Sequence, residues 1–197
     1  MFLEVEKMET LNNLVKAFMG ESMARNRYTF YAKIAKEEGY VFIQRVFLET
    51  AENEKEHAET LFEFIQKLRG DGESISVEME APLILGTTAD NIKAAIAGEH
   101  YEFSQMYPEF ADVAEKEGYK DIADRLRAIA KAEEHHEKRY AVLLESIQDG
   151  TYFKRDEETE WVCLECGYIH RGTEPPDECP SCGHERAYYV ARDFLSL

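Results

Sequence analysis

Two identical spacings, Glu54-x-x-His57 and Glu133-x-x-His136, constrain this chain more than any other feature. Each lies in a long stretch whose apolar residues recur at steps of three and four, the period of an amphipathic helix. Ile43, Phe47, Thr50, Glu54, His57, Leu61, Phe64 and Leu68 share one face of the first stretch. Ile122, Leu126, Ile129, Glu133, His136, Tyr140, Leu143 and Ile147 share one face of the second. Glu and His three residues apart stand about 60° apart around a helix and rise roughly 4.5 Å, so both reach one region of a core. Buried carboxylates are costly unless an opposite charge meets them. These stripes therefore demand a partner of positive charge.

The two motifs belong to an internal repeat. Ala32 to Tyr40 resembles Ala111 to Tyr119 at an offset of 79 residues, and the same offset relates Tyr28 to Tyr107. Glu21, after Gly20, matches Glu99, after Gly98, at an offset of only 78. One extra residue therefore falls between Glu99 and Tyr107, just before Pro108, which lacks an N–H. A π-bulge absorbs both the insertion and the missing hydrogen bond, and one is predicted near Glu102 to Tyr107.

Periodicity predicts four helices. They run from about Glu9 to Glu38, stopping at Gly39; from about Tyr40 to Leu68, stopping near Gly70; from an N-cap at Thr88 or Asp90 to before Gly118; and from about Lys120 to Gln148, stopping at Gly150. A long connection with Gly72, Pro82 and Gly86 joins the second to the third. Two close pairs joined by a crossover make the ferritin-like layout of a four-helix bundle. The fold class expected is mainly α: a bundle over 1–150, a polar linker over 151–160, and a small metal-knuckle β domain over 161–197.

The first helix carries the stripe Leu14, Ala17, Glu21, Ala24, Tyr28 and Tyr31; the third carries Ile92, Ala95, Glu99, Glu102, Met106 and Phe110. Four helices thus deliver Glu21, Glu54, Glu99, Glu102, Glu133, His57 and His136 to one level. One Glu from each of two helices and Glu-x-x-His from the other two is the donor pattern of di-iron and di-manganese bundles. Glu102 is an addition to it. Glu52, Glu56, Glu134, His135 and Glu137 fall off the stripes, as a solvated face does, and His100 lies off the face of Glu99. Tyr28 and Tyr107 are placed either to hydrogen-bond the ligating carboxylates or to pack as ordinary core aromatics.

All four cysteines follow the bundle, as Cys163-Leu-Glu-Cys166-Gly-Tyr and Cys179-Pro-Ser-Cys182-Gly-His. Four thiolates at this spacing suit a tetrahedral zinc or iron. Trp161, Tyr168, Tyr188, Tyr189 and Val190 are the available core, so the metal is needed as a staple. The knuckles resemble those of rubredoxin, and a redox-capable bundle in the same chain gives an electron carrier a use; both favour iron.

The formal net charge of −17 disfavours nucleic acid and anionic membranes as partners. No apolar run reaches the roughly 20 residues that span a bilayer. The start carries Glu4, Glu6 and Glu9 in place of a basic segment, so no secretory signal is expected, and a cytoplasmic location is.

Gly20-Glu21, Glu54-x-x-His57, Gly98-Glu99-x-x-Glu102, Met106-Tyr107-Pro108 and Glu133-Glu134-x-His136, followed by the cysteine knuckles, resemble the rubrerythrin family over nearly the whole chain. The stretch between the cysteine pairs is shorter than in free-standing rubredoxins. The resemblance implies two irons bridged by Glu54 and Glu133. Glu21 would serve one iron, Glu99 and His136 the other. His57 and Glu102 would be alternative, catalytic ligands of the Glu21 iron, the carboxylate suiting ferric and the imidazole ferrous iron. It further implies one iron on Cys163, Cys166, Cys179 and Cys182, reduction of hydrogen peroxide to water, and electrons from a rubredoxin or a reduced-nicotinamide-dependent reductase. A homodimer is also implied. Ferroxidase activity with iron storage is the rival; it shares the bundle but needs neither Glu102 nor an electron-return domain.

Overall fold

The computed structural model describes residues 9–69 and 74–197; Gly70 and Gly72, expected in the crossover, and Glu4 and Glu6 lie outside them. The chain is mainly helical, a four-helix bundle with a small antiparallel sheet. Helix α1 spans Glu9–Glu37 and α2 spans Val41–Arg69. The third bundle helix has three parts: α3, Thr88–Tyr101; a π-helical turn, Glu102–Met106; and α4, Tyr107–Lys116. Helix α5 spans Lys120–Gln148.

The π turn stands where the missing repeat offset and Pro108 require it. It also corrects the expected stripe. Beyond the extra residue the inward face passes to Tyr107, Ala111 and Ala114, all buried, while Phe110 is only half-buried. A uniform helical period carried through the π turn points to Phe110; the inserted residue rotates the register.

The repeat extends to the helix ends. After α1, Gly39 N–H donates to Lys36 and Tyr40 N–H to Ala35; after α4, Gly118 N–H donates to Glu115 and Tyr119 N–H to Ala114. Gly39 and Gly118 take φ of +85° and +90°, the left-handed turn that closes such a cap. The start of α1 is capped by Glu117, whose carboxylate accepts from the N–H groups of Glu9 and Thr10 at 3.0 and 3.1 Å. The repeat mate Glu38 accepts from Thr88 N–H at 2.9 Å at the start of α3. The N-cap of α3 is Thr87, not the expected Thr88 or Asp90: its hydroxyl accepts from Asp90 N–H, and Asp90 returns a bond to Thr87 N–H. That reciprocal pair is a capping box.

The chain packs as two compact units. The first comprises residues 9–27, 50–69, 74–83 and 97–137. Its core is Leu14, Ala17, Leu61, Ile65, Tyr107, Ala111, Ile122, Leu126 and Ile129, with Ile75 and Val77 of the crossover packed against it. Those two alternate in burial with Ser74, Ser76 and Glu78, the period of an extended strap.

The second unit comprises residues 28–49, 84–96 and 138–197. It holds an aromatic group of Tyr28, Tyr31, Phe47 and Tyr140, with Tyr28 and Tyr140 ring centres 5.8 Å apart. Strands β1 (Thr159–Cys163), β2 (Ile169–Gly172) and β3 (Tyr189–Ala191) form an antiparallel sheet in the order β2-β1-β3. Trp161, Tyr189, Val190, Ala191 and Phe194 are buried there, and the indole of Trp161 donates to Gly172 O. Tyr168 is 37% exposed and Tyr188 half-buried, so neither is the core residue the sequence suggested.

Candidate metal centre

Four helical segments bring the acidic and imidazole groups to one level of the first unit. Glu21 comes from α1, Glu54 and His57 from α2, Glu99 from α3, and Glu133 and His136 from α5. Their donor atoms form two groups, each gathered within 4.8 Å: Glu21, Glu54, His57 and Glu133, and Glu54, Glu99, Glu133 and His136. Glu54 and Glu133 belong to both. Glu54 sends Oε2 to His57 Nδ1 at 3.0 Å and Oε1 to His136 Nδ1 at 3.4 Å. Glu133 sends Oε1 to His57 Nδ1 and Oε2 to His136 Nδ1, both at 2.9 Å. Each of these carboxylates thus spans the two groups, one oxygen in each.

Burial is severe. Glu21, Glu99 and Glu133 have no exposed surface, Glu54 is 1% exposed and His136 4%. Glu21 Oε2, Glu54 Oε1 and both oxygens of Glu133 lack a hydrogen bond of proper geometry, as does His136 Nδ1. The lone pairs converge without meeting protons at hydrogen-bond angles, as donors around a cation do. Tyr107 supplies an oriented bond: its hydroxyl donates to Glu21 Oε1. Tyr107 therefore touches a carboxylate of this cluster.

The electrostatics match. Burial, then the charges of Glu133, Glu54 and Glu102, hold the Glu21 carboxyl well above its usual range. Burial, then Glu54, pushes Glu99 up to about 8. Burial, then Glu99, raises Glu102. Burial works against protonation of the imidazoles, but contacts with Glu133 and Glu54 outweigh it and carry His57 to about 9 and His136 to about 12. Burial would also raise Glu54; His136 and His57 more than offset it and hold Glu54 low. Without metal the cluster balances its charge with protons. Two divalent cations do the same work through coordination.

Glu102 stands apart. It opens the π turn, is 9% exposed and lies in neither donor group. Arg27, which the sequence did not single out, opposes its raised pKa by its charge. Arg27 also reaches the crossover, donating to Pro82 O at 3.4 Å. A second pair outside the expectations is Arg139, buried and donating to Glu49 at 2.9 Å in the second unit. His100, on the surface, meets Glu137 at 3.0 Å, away from the donor groups.

The four cysteines gather in the second unit, their sulfurs all within 4.8 Å. Cys163 lies 3.8 Å from Cys182 and Cys166 lies 3.7 Å from Cys179. The two knuckles share one construction. Gly167 N–H donates to Cys163 O and Gly183 N–H to Cys179 O, with φ of +77° and +72°. The backbone N–H of Tyr168 holds Cys166 below its usual range. Burial would raise Cys179, but the Tyr189 hydroxyl and the N–H groups of Ser181 and Cys182 bring it down to about 6. These donors favour thiolates at Cys166 and Cys179, the form that binds metal, while burial raises Cys163 and, together with the neighbouring cysteines, carries Cys182 to about 12.

The donor sets fit a carboxylate-bridged di-iron centre with a separate Fe(Cys)4 site. Residues 12–144 match the family model described as rubrerythrin, and residues 161–190 match the rubredoxin-like domain of rubrerythrin. A rubrerythrin relative from Methanocaldococcus jannaschii is 56% identical over 196 residues, covering 97% of this chain and 96% of its own length. The rubrerythrin of Porphyromonas gingivalis is 46% identical, covering 94% of this chain and 90% of its own. A solved structure of nigerythrin in a partially reduced state aligns with a TM-score of 0.61 at 32% identity, over 92% of this chain and 86% of its own. Paired donor groups, cysteine knuckles and full-length likeness agree: the chain belongs to the rubrerythrin family.

Proposed function

We propose that this chain reduces hydrogen peroxide to water at a di-iron centre, with the cysteine-bound iron as electron carrier. The observation that carries the reading is the division of Glu54 and Glu133, each with one oxygen toward His57 and the other toward His136. Glu54 and Glu133 would hold both irons, Glu21 one, and Glu99 with His136 the other. His57, within the Glu21 group, and Glu102, outside it, are the alternative ligands of the Glu21 iron. When bound, the iron pair supplies Lewis acidity and the two electrons that O–O cleavage consumes.

The protein's own groups do the rest. Two protons must reach the departing oxygens for each peroxide reduced. Glu102 holds a proton readily, because burial raises its pKa, and it is the most exposed of the five glutamates. It is suited to pass protons between solvent and the centre. Tyr107 fixes Glu21 by donating to Oε1 and leaves Oε2 for the metal. The apolar core of the first unit excludes water from the remaining carboxylates.

Electrons would return singly through the site of Cys163, Cys166, Cys179 and Cys182, supplied by a rubredoxin or a reduced-nicotinamide-dependent reductase. A homodimer is proposed on family likeness. So is the division into a bundle over 1–150, a linker over 151–160 and a rubredoxin-like domain over 161–197. Four cysteines kept free of disulfides suit a reducing, cytoplasmic compartment. The test is peroxide consumption by anaerobically iron-loaded protein coupled to a nicotinamide-dependent reductase. Sustained turnover with two electrons per peroxide is expected. Iron accumulation far beyond the bound complement, without peroxide turnover, would favour storage.

A further inference from the structure

A cavity of about 370 Å³ opens in the first unit beside Glu102. Its walls include Gly20 of α1, Gly98 of α3, Met106 of the π turn, Met23, and Met79 of the crossover strap. Glu102 is nine-tenths buried, its carboxylate makes no hydrogen bond among the described residues, and it lines this space. Arg27, another wall residue, ties the strap to α1 through Pro82 O.

The glycines are the informative part. Gly20 and Gly98 occupy matching places in the two halves of the repeat, each just before a glutamate of the donor groups. Neither has the positive φ that would require glycine. A Cβ at either would meet nothing within 4 Å. Glycine weakens a helix interior relative to alanine, so local stability disfavours it at both places. What a side chain there would occupy is the cavity.

We infer that this cavity is the passage by which peroxide reaches Glu102 and the metal centre, and that Gly20 and Gly98 keep it open. The identity of the traveller rests on the function proposed above; the existence of the passage does not. Met106 offers an independent probe, being 8% exposed while lining the space. A peroxide that enters can be attacked by the thioether sulfur: an S–O bond forms, the O–O bond breaks and water leaves. The sulfur is oxidised by two electrons and the peroxide reduced by two.

The experiment compares full-length wild type with Gly20→Leu, Gly98→Leu and Met79→Phe, the last narrowing the space from the strap. In zinc-loaded protein, where the metals are redox-silent, peptide mass spectrometry follows sulfoxide at Met106 and at exposed Met19 during hydrogen peroxide treatment. In diferrous protein, stopped flow follows oxidation by the same peroxide. Met106 oxidation and iron oxidation should each slow by about tenfold or more in the narrowed variants, with Met19 unchanged. Wild-type rates at Met106 in the folded, metal-loaded variants would overturn the passage. Should a leucine variant fail to fold, Met79→Phe by itself supports or overturns the passage on the same two rates. Wild-type iron indifferent to peroxide would sink the proposed function, while Met106 would still report whether the passage exists.

Discussion

The bundle site and the cysteine site hold metal by opposite strategies. The bundle donors come from Glu21 to His136, on separate helices, in a unit with an apolar core built from other residues. The cysteine donors come from one short stretch, Cys163 to Cys182, whose turns lie beside a sheet of three brief strands. In the bundle the fold makes the site, and the buried carboxylates are a cost that metal relieves. In the knuckles the metal completes the fold, because Trp161 and a few neighbours are too small a core. Removing metal should therefore leave the first site strained but standing and the second undone.

The largest expected effect comes from replacing Cys163, Cys166, Cys179 and Cys182 with serine. Steady-state peroxide turnover should drop to background, while one stoichiometric oxidation of the diferrous bundle by peroxide proceeds at the wild-type rate. Trp161 is the only tryptophan, so its emission should shift to that of an exposed indole, while helical circular dichroism stays nearly unchanged. A blue, buried Trp161 in that variant would break the contrast between the sites.

Next comes Glu102→Ala. If Glu102 carries protons, turnover falls by about 10²- to 10⁴-fold with the bundle folded and its irons retained. Wild-type turnover would remove Glu102 from the mechanism. Tyr107→Phe should be milder, at about 10- to 100-fold in metal affinity or turnover, because it releases Glu21 without removing a proposed metal ligand. Isothermal titration with zinc and steady-state assays separate the two.

The smallest effect is on pH dependence, and its sign sharpens the comparison. Metal-free, Glu99 rises to about 8 and His57 to about 9. Groups with raised folded values stabilise fully below their unfolded values and lose that contribution as pH climbs through the folded ones. Glu54, held low, contributes only in acid to pH dependence and does not alter this window. The Tm of the metal-free bundle should thus fall by a few degrees between pH 6.5 and pH 9. Metal-loaded protein should show the reverse, since coordination requires the protons to leave. A metal-free Tm that rises across that window would contradict the proton-balanced cluster.

Much of this was legible in the sequence because the signals were periodic or local. The stripes placed Glu21, Glu54, Glu99, Glu133 and His136 correctly inside, since each interrupts an otherwise apolar face. The missing repeat offset before Pro108 located the π turn. What escaped depended on its consequences. Once the π turn inserts a residue, the inward position after Met106 is Tyr107 and not Phe110. Thr87 escaped as the N-cap because Asp90, its box partner, is itself a strong capping residue type. The strap left a signal that was available, Ile75, Val77 and Met79 alternating with polar residues, but a Gly- and Pro-bearing connection invites reading as plain loop. Arg27 gave none, because its partner Pro82 O is set by where the crossover lies.

The most direct test of the central claim is anaerobic ferrous titration of the four-serine variant, with proton release followed in the same experiment. Two irons per chain, bound with release of protons, are expected from donor groups that share Glu54 and Glu133. Binding of one iron or none, or two irons that remain bound after Glu54→Ala and Glu133→Ala are combined, would contradict it.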